Sequence, residues 1–235
     1  MFTDRDAQAV GRLAPELAPR VRVNPFSVSL PAAARPEREE ADLLFFAGNY
    51  THAPNVDAAL WLGREIMPRL RAARPGVRLA LAGIYPPPAV TELAAPDLLV
   101  LGPAPAIEPW LERAALVIAP LRIGGGMRMK VLQAMAMGKA VLTTGRGAEG
   151  LAVAGQLPPL VVAEDTASMA AAAAALLADP QQRWLLGRQA RAYVMEHFSP
   201  AAHVHRLEAV YDELLAEAQP AGARPAEART PLAAR

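Results

Sequence analysis

The sequence predicts an α/β protein in which a parallel β-sheet is covered by helices on both faces. Three observations support this fold. From residue 43 onward, short apolar runs of strand length alternate with segments of helical periodicity. The apolar runs are continuous, as expected for strands buried on both faces. Each of the first five runs ends at a glycine or proline, where the chain leaves the sheet.

Six runs are predicted to be strands, at 43–47, 77–82, 98–101, 116–120, 140–144 and 160–163. Predicted helices lie between them and after the last, at 54–70, 86–93, 107–111, 128–137, 166–178, 181–197 and 201–217. In a parallel sheet the carboxyl ends of the strands share one edge, and ligands bind there, where the strand order reverses. We therefore expect functional residues along this edge.

The segments outside this alternation are predicted from their composition. Residues 1–30 contain a helix capped at Thr3-Asp4 and a short exposed strand at 20–23. Residues 31–42 are rich in charge and proline and are predicted to be a linker to a domain at 43–218. Residues 219–235 lack periodicity and are predicted to be disordered.

Bulk composition excludes several functional classes. The chain of 235 residues has a net charge of +1, which argues against nucleic acid as a partner. It has no cysteine, which excludes disulfides and thiol chemistry. The first residues lack the apolar core of a signal peptide, and the longest apolar run, 169–178, is too short to span a bilayer. We expect a cytoplasmic protein.

The strongest candidate for a binding site follows the fourth predicted strand. Gly124, Gly125 and Gly126 precede a helix that carries Arg128 and Lys130 at its start. Backbone N–H groups and the positive end of the helix dipole favour an anion there, and glycine allows close approach. The alternative is a tight turn beside a solvated helix face. We favour a phosphate site because two cations accompany the glycines.

Two common nucleotide motifs do not fit. The first predicted strand is followed by Gly48-Asn49-Tyr-Thr-His52 rather than by the G-x-G-x-x-G of dinucleotide-binding proteins. Lys130 is preceded by Met129 and followed by Val131, whereas the phosphate loop of ATPases requires Gly-Lys-Ser or Gly-Lys-Thr. Neither an NAD or FAD site nor an ATPase loop is expected.

A set of motifs in a fixed order fits another family. The motifs are Phe46-Ala-Gly-Asn49, Pro54-Asn55, Leu81-Ala-Gly83, Leu101-Gly-Pro103, Ala119-Pro-Leu-Arg122, Gly124-Gly-Gly-Met-Arg-Met-Lys130, Gln133-Ala-Met-Ala136, Gly138 and Gly147-Ala-Glu-Gly150. Over residues 43–217 they resemble the Rossmann-like C-terminal, donor-binding domain of GT-B glycosyltransferases of the group 1, or family 4, type. Residues 1–30 are similar to the end of the N-terminal, acceptor-binding domain of that family.

The resemblance implies a role for each motif residue. The donor's diphosphate would be held by Gly124, Gly125, Gly126, Arg128 and Lys130. Other residues would contact the donor elsewhere: Gly48 and Asn49 from the first loop, Gln133 at the ribose, and Glu149 and Gly150 at sugar or ribose hydroxyls. Glu149 is also explained as a loop carboxylate or helix cap. No metal cofactor is implied, because the basic groups stabilise the departing diphosphate.

The sequence departs from the family pattern at the site itself. Many members carry two glutamates where this chain has Gly125 and Gln133, and a basic pair in the first loop, where this chain has His52. A family-like acceptor domain is missing from these 235 residues, and no catalytic base is identified.

Two functions follow from these observations. The first is a glycosyltransferase that transfers a hexose-type sugar from a nucleotide-diphosphate sugar to a saccharide or lipid-linked acceptor in cell-surface polysaccharide assembly. Such a protein would work peripherally at the inner face of the membrane, with an acceptor-domain partner chain or as a homodimer. The second is a non-catalytic nucleotide-sugar-binding module, or one subunit of a split glycosyltransferase.

Overall fold

The six strands form a single parallel sheet in the computed structural model, which describes residues 1–103 and 106–218. The spatial order is β3-β2-β1-β4-β5-β6, and every neighbouring pair is parallel. The strands are β1 (Glu40–Ala47), β2 (Arg78–Ala82), β3 (Leu98–Gly102), β4 (Ala114–Ala119), β5 (Val141–Thr143) and β6 (Val161–Val162). The predicted Rossmann-like α/β fold is confirmed. The predicted disorder of 219–235 lies outside the described residues.

Helices cover both faces of this sheet. They are α1 (Asp4–Leu13), α2 (Ala53–Trp61), α3 (Met67–Ala73), α4 (Pro88–Thr91), α5 (Glu108–Arg113), α6 (Met129–Ala136), α7 (Gly145–Ala148), α8 (Thr166–Ala178), α9 (Pro180–His197) and α10 (Pro200–Ala218). A π-helical segment, Leu62–Ile66, joins α2 to α3, so the single helix predicted at 54–70 contains a π-helical turn.

The strands divide their side chains between two apolar cores, as expected when successive residues point to opposite faces. Leu44 and Phe46 of β1 pack into the core beneath α2, α3 and α8, whereas Leu43 and Phe45 pack into the core beneath α5, α6 and α9. All four side chains are buried. Burial on both faces explains why the strands are continuous apolar runs in the sequence.

The first strand begins earlier than predicted. Residues 40–42, placed in the linker by their charge, belong to β1. Glu40 pairs with Ala114 in the register of β1 and β4. Its carboxylate accepts hydrogen bonds from Arg113 and, at 2.6 Å, from Arg78. These two arginines lower the pKa of Glu40, the hydrogen bond from Arg113 having the largest effect. Two arginines therefore neutralise the charge of Glu40 at the amino end of β1.

The N-terminal segment differs from its prediction in one element. The helix α1 forms, and the Thr3 hydroxyl caps it by accepting from the Asp6 N–H at 3.1 Å. The strand predicted at 20–23 is wrong, because residues 15–20 form a 3-10 helix and 21–35 form no strand. The backbone of the segment 21–35 bonds to other parts of the chain instead of to a strand. For example, the Val28 N–H donates to the carbonyl of Phe198, just after α9, at 2.9 Å.

The remaining residues of the predicted linker lie against the sheet domain. The Glu39 carboxylate accepts hydrogen bonds from the Lys139 ammonium at 3.0 Å and from Arg183 Nε at 3.1 Å. Both cations are almost fully buried. The segment before β1 is thus fixed at the amino edge of the sheet, opposite the edge where ligands bind. The division into an acceptor-domain remnant and a donor-binding domain stays a prediction.

No helix in the described ranges combines the length and the apolar character that crossing a membrane requires.

Candidate functional site

A crevice opens between β1 and β4, where the strand order reverses. The sheet runs through β2 and β3 on one side of this point and through β5 and β6 on the other. The loops after β1 and β4 meet above it, as the ligand-binding rule for open α/β sheets requires. A cavity of about 290 Å³ lies on the β1–β2 side, lined by Ala47, Gly48, Asn49, Ala82, Gly83, Ile84, Ile107, Lys130 and Gln133. Four of the predicted site residues therefore share one cavity.

The glycine loop requires glycine at two of its three positions. Gly124 and Gly126 have φ angles of +98° and +78°, a region that side chains rarely allow. A Cβ on Gly124 would also lie 2.8 Å from Cγ of Pro54 in α2. Gly125 has open space around it. The loop is thus folded tightly against α2, and its three glycines are exposed.

Arg128 lies within this loop rather than in the first turn of α6, where it was predicted. It is the N-cap residue of α6, and its side chain is only 6% exposed. The guanidinium donates to the carbonyls of Gly124 at 3.1 Å and Gly125 at 3.0 Å, and to the Arg146 carbonyl at 3.0 Å. Burial lowers its pKa, and the nearby Arg146 and Arg5 charges lower it further. Arg128 holds the loop, and diphosphate binding by it stays a prediction.

Lys130 extends from α6 across the crevice to the first turn of α2. Its ammonium donates a hydrogen bond to Oδ1 of Asn55 and lies 4.9 Å from the centroid of the Phe46 ring. Burial lowers the pKa of Lys130 to about 8, and the Arg128 charge contributes to the shift. Lys130 lines the cavity, and within the described residues no carboxylate contributes to the shift in its pKa.

Two further predicted site residues, Asn49 and Gln133, line the same cavity. Gln133 is exposed one turn after Lys130, between this cavity and another of about 360 Å³ that also includes Ile107. The Asn49 side chain serves its own loop, because its Oδ1 accepts from the Thr51 N–H at 3.0 Å and from the Thr51 hydroxyl at 2.8 Å. The contact of Gln133 with the ribose stays a prediction.

Glu149 and Gly150 lie on the other side of the crevice, beyond β5. The predicted loop at 145–150 begins with a short helix, α7, because the Thr144 hydroxyl caps it by accepting from the Gly147 N–H at 3.0 Å. The Glu149 carboxylate accepts from Arg146 at 2.9 Å, pairs with Arg5 of α1, and lies 3.9 Å from Arg128. Three arginines thus share one carboxylate.

Gly150 makes room for the N-terminal segment. Its φ is +78°, and a Cβ there would lie 2.9 Å from Cγ2 of Thr3, the cap of α1. The pair Glu149-Gly150 is therefore a docking point for α1 in this structure. Contact of these residues with sugar or ribose hydroxyls stays a prediction.

Asn55, Arg5 and Arg146 contact the predicted site residues, and the sequence analysis gave them no role. Pro54-Asn55 is visible in the sequence as a motif, but nothing there indicates that its amide meets Lys130 75 positions later. His52 is exposed at the N-cap of α2 and makes no capping bond with its side chain. Across residues 1–103 and 106–218, no three His, Asp or Glu side chains cluster as a metal site would need.

Comparison with known families identifies the class of protein. The family model described as "Glycosyl transferases group 1" matches residues 41–179, more than half of the chain. The chain therefore belongs to the group 1 glycosyltransferases, as the ordered motifs predicted. A comparison with curated proteins finds no significant match.

Solved structures of glycosyltransferases share the fold. Sucrose-phosphate synthase from Thermosynechococcus elongatus aligns over 92% of this chain with 17% identity and a TM-score of 0.68. A glycosyltransferase from Rickettsia africae aligns over 91% with 13% identity and a TM-score of 0.72. The Anabaena protein Alr3699/HepE, solved with UDP and glucose, aligns over 91% with 14% identity and a TM-score of 0.57.

The chain is shorter than these proteins. It spans 58%, 62% and 53% of the lengths of the synthase, the Rickettsia enzyme and HepE. The likeness therefore supports the fold of the aligned part.

Proposed function

We propose that this chain binds a nucleotide-diphosphate sugar in the crevice between β1 and β4, as the donor-binding half of a glycosyltransferase. The observation that carries the proposal is Lys130, which lines a cavity beside the switch point and lies in the helix that follows the glycine loop. A diphosphate would supply a negatively charged partner for the Lys130 ammonium. Membership of the group 1 glycosyltransferases gives the reaction class.

The chemistry needed from this half is stabilisation of a leaving group. Breaking the bond between the sugar and the diphosphate leaves negative charge on the diphosphate oxygens. Preorganised donors aimed at that charge lower the barrier. Lys130 supplies a charge-assisted hydrogen bond, and Gly125 and Gly126 supply backbone N–H groups in a loop that Arg128 holds in shape. No metal is assigned to this step, and no catalytic base is named.

The type of donor is proposed from the structural neighbours. HepE was solved with UDP-glucose, and TarM of S. aureus, with 13% identity and a TM-score of 0.72, was solved with UDP. We therefore choose UDP and UDP-glucose as the first ligands to test, with GDP as the alternative. We propose that Gln133 contacts the ribose from α6, and its position in the lining of the same cavity as Lys130 supports this.

The acceptor half is proposed to come from elsewhere. The helix α10 exposes Val204, Leu207, Tyr211, Leu214 and Leu215 by 40% to 62%. Contiguous exposed apolar side chains are typical of interaction surfaces. An acceptor-domain partner or a second copy of the chain would cover them, and a saccharide or lipid-linked acceptor in cell-surface polysaccharide assembly would reach the donor from that partner.

Titration calorimetry with UDP, GDP and UDP-glucose tests the donor site. We expect UDP binding by the wild-type chain and at least tenfold weaker binding by Lys130→Met, since hydrogen bonds to charged groups contribute about 1.5–3 kcal/mol. The matched control is Lys139→Met, which removes the only other lysine of the chain, at the opposite edge of the sheet. Absence of binding to all three ligands contradicts the proposal.

A second candidate, donor binding without transfer, is favoured by one observation. The polar side chain that α6 adds to the cavity after Lys130 is the neutral amide of Gln133 rather than a carboxylate. A neutral amide forms a weaker bond to a ribose hydroxyl than a charged acceptor does. Hydrolysis and transfer of labelled UDP-glucose distinguish the two candidates, measured with the chain alone and with a co-expressed acceptor-domain partner. Binding without turnover in both assays supports the second.

A further inference from the structure

The first turn of α2 lies between the two loops of the crevice. A Cβ on Gly48 would lie 2.8 Å from Cγ of Asn55, and a Cβ on Gly124 would lie 2.8 Å from Cγ of Pro54. Glycine at both positions therefore makes room for the Pro54-Asn55 dipeptide. Asn55 is 8% exposed, so its amide is buried at the centre of the candidate site.

The Asn55 amide uses both of its ends. Its Nδ2 donates to the Asn49 carbonyl at 2.6 Å, and its Oδ1 accepts from the Lys130 ammonium. The first bond fixes which end of the amide faces Lys130, because only the oxygen can accept a hydrogen bond. An ammonium has three donors, so two remain for a ligand after the bond to Asn55.

The side chain that accepts the hydrogen bond from Lys130 is neutral, so it does not cancel the charge of the ammonium. Arg128 is the charged group that acts on the Lys130 ammonium, and it is also a cation. An aspartate at position 55 would hold the ammonium equally well but would neutralise it. An apolar side chain would leave the charge free without orienting it. Asparagine orients the ammonium and leaves its charge available.

We propose that Asn55 is the positioning residue that directs the Lys130 ammonium into the crevice, where it binds the diphosphate of the donor. This inference rests on the function proposed above and adds a residue to it. The loop after β1 carries no lysine or arginine between Gly48 and Asn55. The structure brings a cation from α6 to the end of this loop, where Asn55 in the first turn of α2 is the point of contact.

The position of Lys130 has a consequence for proton binding. In the free protein its pKa is lowered to about 8 by burial and by Arg128. A bound diphosphate favours the charged form and raises that pKa. Ligand binding near pH 8 is therefore expected to take up a proton, and UDP affinity is expected to fall as the pH rises above 8.

Two substitutions separate positioning from charge. Asn55→Ala removes the acceptor, and Asn55→Asp replaces it with a carboxylate of almost the same shape. We expect both to weaken UDP binding about tenfold or more in calorimetry. Asn55→Asp is also expected to raise the pKa of Lys130, because a nearby carboxylate favours the ammonium form.

The pKa of Lys130 is directly measurable in this chain. Lys130 and Lys139 are its two lysines, so selective ¹³Cε labelling gives two lysine signals in NMR spectra, and Lys139→Met assigns them. The titration is recorded for the wild type and for Asn55→Asp, with and without UDP. Thermal unfolding confirms that each variant is folded. If Asn55→Ala does not fold, Asn55→Asp alone decides the test.

The outcomes are distinct. A raised Lys130 midpoint in Asn55→Asp, together with weaker UDP binding, supports the inference. A lower melting temperature with unchanged midpoint and unchanged affinity means that Asn55 only supports the fold, and the inference is then overturned. If the wild type binds neither UDP nor GDP, the proposed function fails. In that case an unchanged midpoint in the ligand-free Asn55→Asp protein also overturns the contact with Lys130.

Discussion

The two sides of the crevice use their cations differently. On the β1 side, Lys130 meets the neutral amide of Asn55 and lines a cavity. On the β5 side, Arg128 bonds to backbone carbonyls and lies 3.9 Å from Glu149, which also pairs with Arg5 and Arg146. On the β1 side the cation has a neutral partner, whereas on the β5 side Arg128 donates to backbone carbonyls and shares one carboxylate with two other arginines.

The difference arises within three consecutive residues. Arg128 is the N-cap of α6 and has non-helical backbone angles, φ −90° and ψ 64°, so its side chain turns back to the glycine loop. Lys130 is already helical, and residues two apart on a helix do not face each other. Two cations in one motif therefore have separate tasks. Arginine has five donors in a fixed plane and suits the carbonyls of a loop, whereas lysine presents a compact charge.

The largest expected effect is on the β1 side. Replacing Lys130 with methionine removes the ammonium from the cavity and should lower UDP affinity by about 10- to 100-fold, the range for hydrogen bonds to charged groups. The same variant should be at least as stable as the wild type at pH 7, because a buried cation is removed. Calorimetry and thermal unfolding measure the two quantities. A stability loss with unchanged affinity would reverse the assignment of the two sides.

Arg128 should differ from Lys130 in its effect on stability. Arg128→Ala leaves the carbonyls of Gly124, Gly125 and Arg146 without their donor, and we expect a loss of roughly 1–3 kcal/mol in the free energy of unfolding. UDP affinity should also fall, because the loop loses its shape. Chemical denaturation measures the stability change. Arg128→Lys serves as the control: it keeps the charge but cannot reach three carbonyls, and it should stay close to the alanine variant.

The pH dependence of stability sharpens the same contrast. The pKa of Lys130 is about 8 in the folded chain, below its ordinary value of 10.5. When the pKa of a base is lower in the folded chain than in the unfolded chain, carrying the proton costs free energy in the folded state. This penalty is fully present below pH 8, where the folded and the unfolded chain are both protonated. That penalty decreases as the pH rises from 8 toward 10.5, because the folded state loses the proton first. The advantage of Lys130→Met in melting temperature should therefore shrink between pH 8 and 10. A constant difference would contradict the lowered pKa.

Much of the fold was predictable because the information is local. The strands are continuous apolar runs that end at turn residues, and the sequence places all six within a few residues of their observed bounds. The exception at Glu40 has a clear cause: its charge suggests a linker, but two arginines distant in sequence neutralise it. The strand predicted at 20–23 failed because alternation alone does not provide a neighbouring strand edge.

The candidate site was predictable in position but not in the tasks of its residues. The glycine loop and the strand ends indicated the crevice, because parallel strands place their carboxyl ends together. The sequence could not show that Arg128 turns inward or that Asn55 meets Lys130. Those contacts depend on the angle at which α2 and α6 approach the loops. Short-range sequence patterns do not predict that angle.

The smallest expected effect concerns the α1 docking point. Arg5 pairs with Glu149 through a side chain that is more than half exposed, and exposed ion pairs contribute about 0–1 kcal/mol. Arg5→Ala should lower the free energy of unfolding by no more than that and leave UDP affinity within about threefold of the wild type. Calorimetry with UDP and with UDP-glucose measures both affinities for Arg5→Ala and for a second variant, Glu149→Gln. If Glu149 contacts the sugar, Glu149→Gln weakens UDP-glucose binding more than UDP binding. Arg5→Ala is expected to leave the ratio of the two affinities unchanged. Equal loss for both ligands in Glu149→Gln would limit Glu149 to holding the arginines of the β5 side.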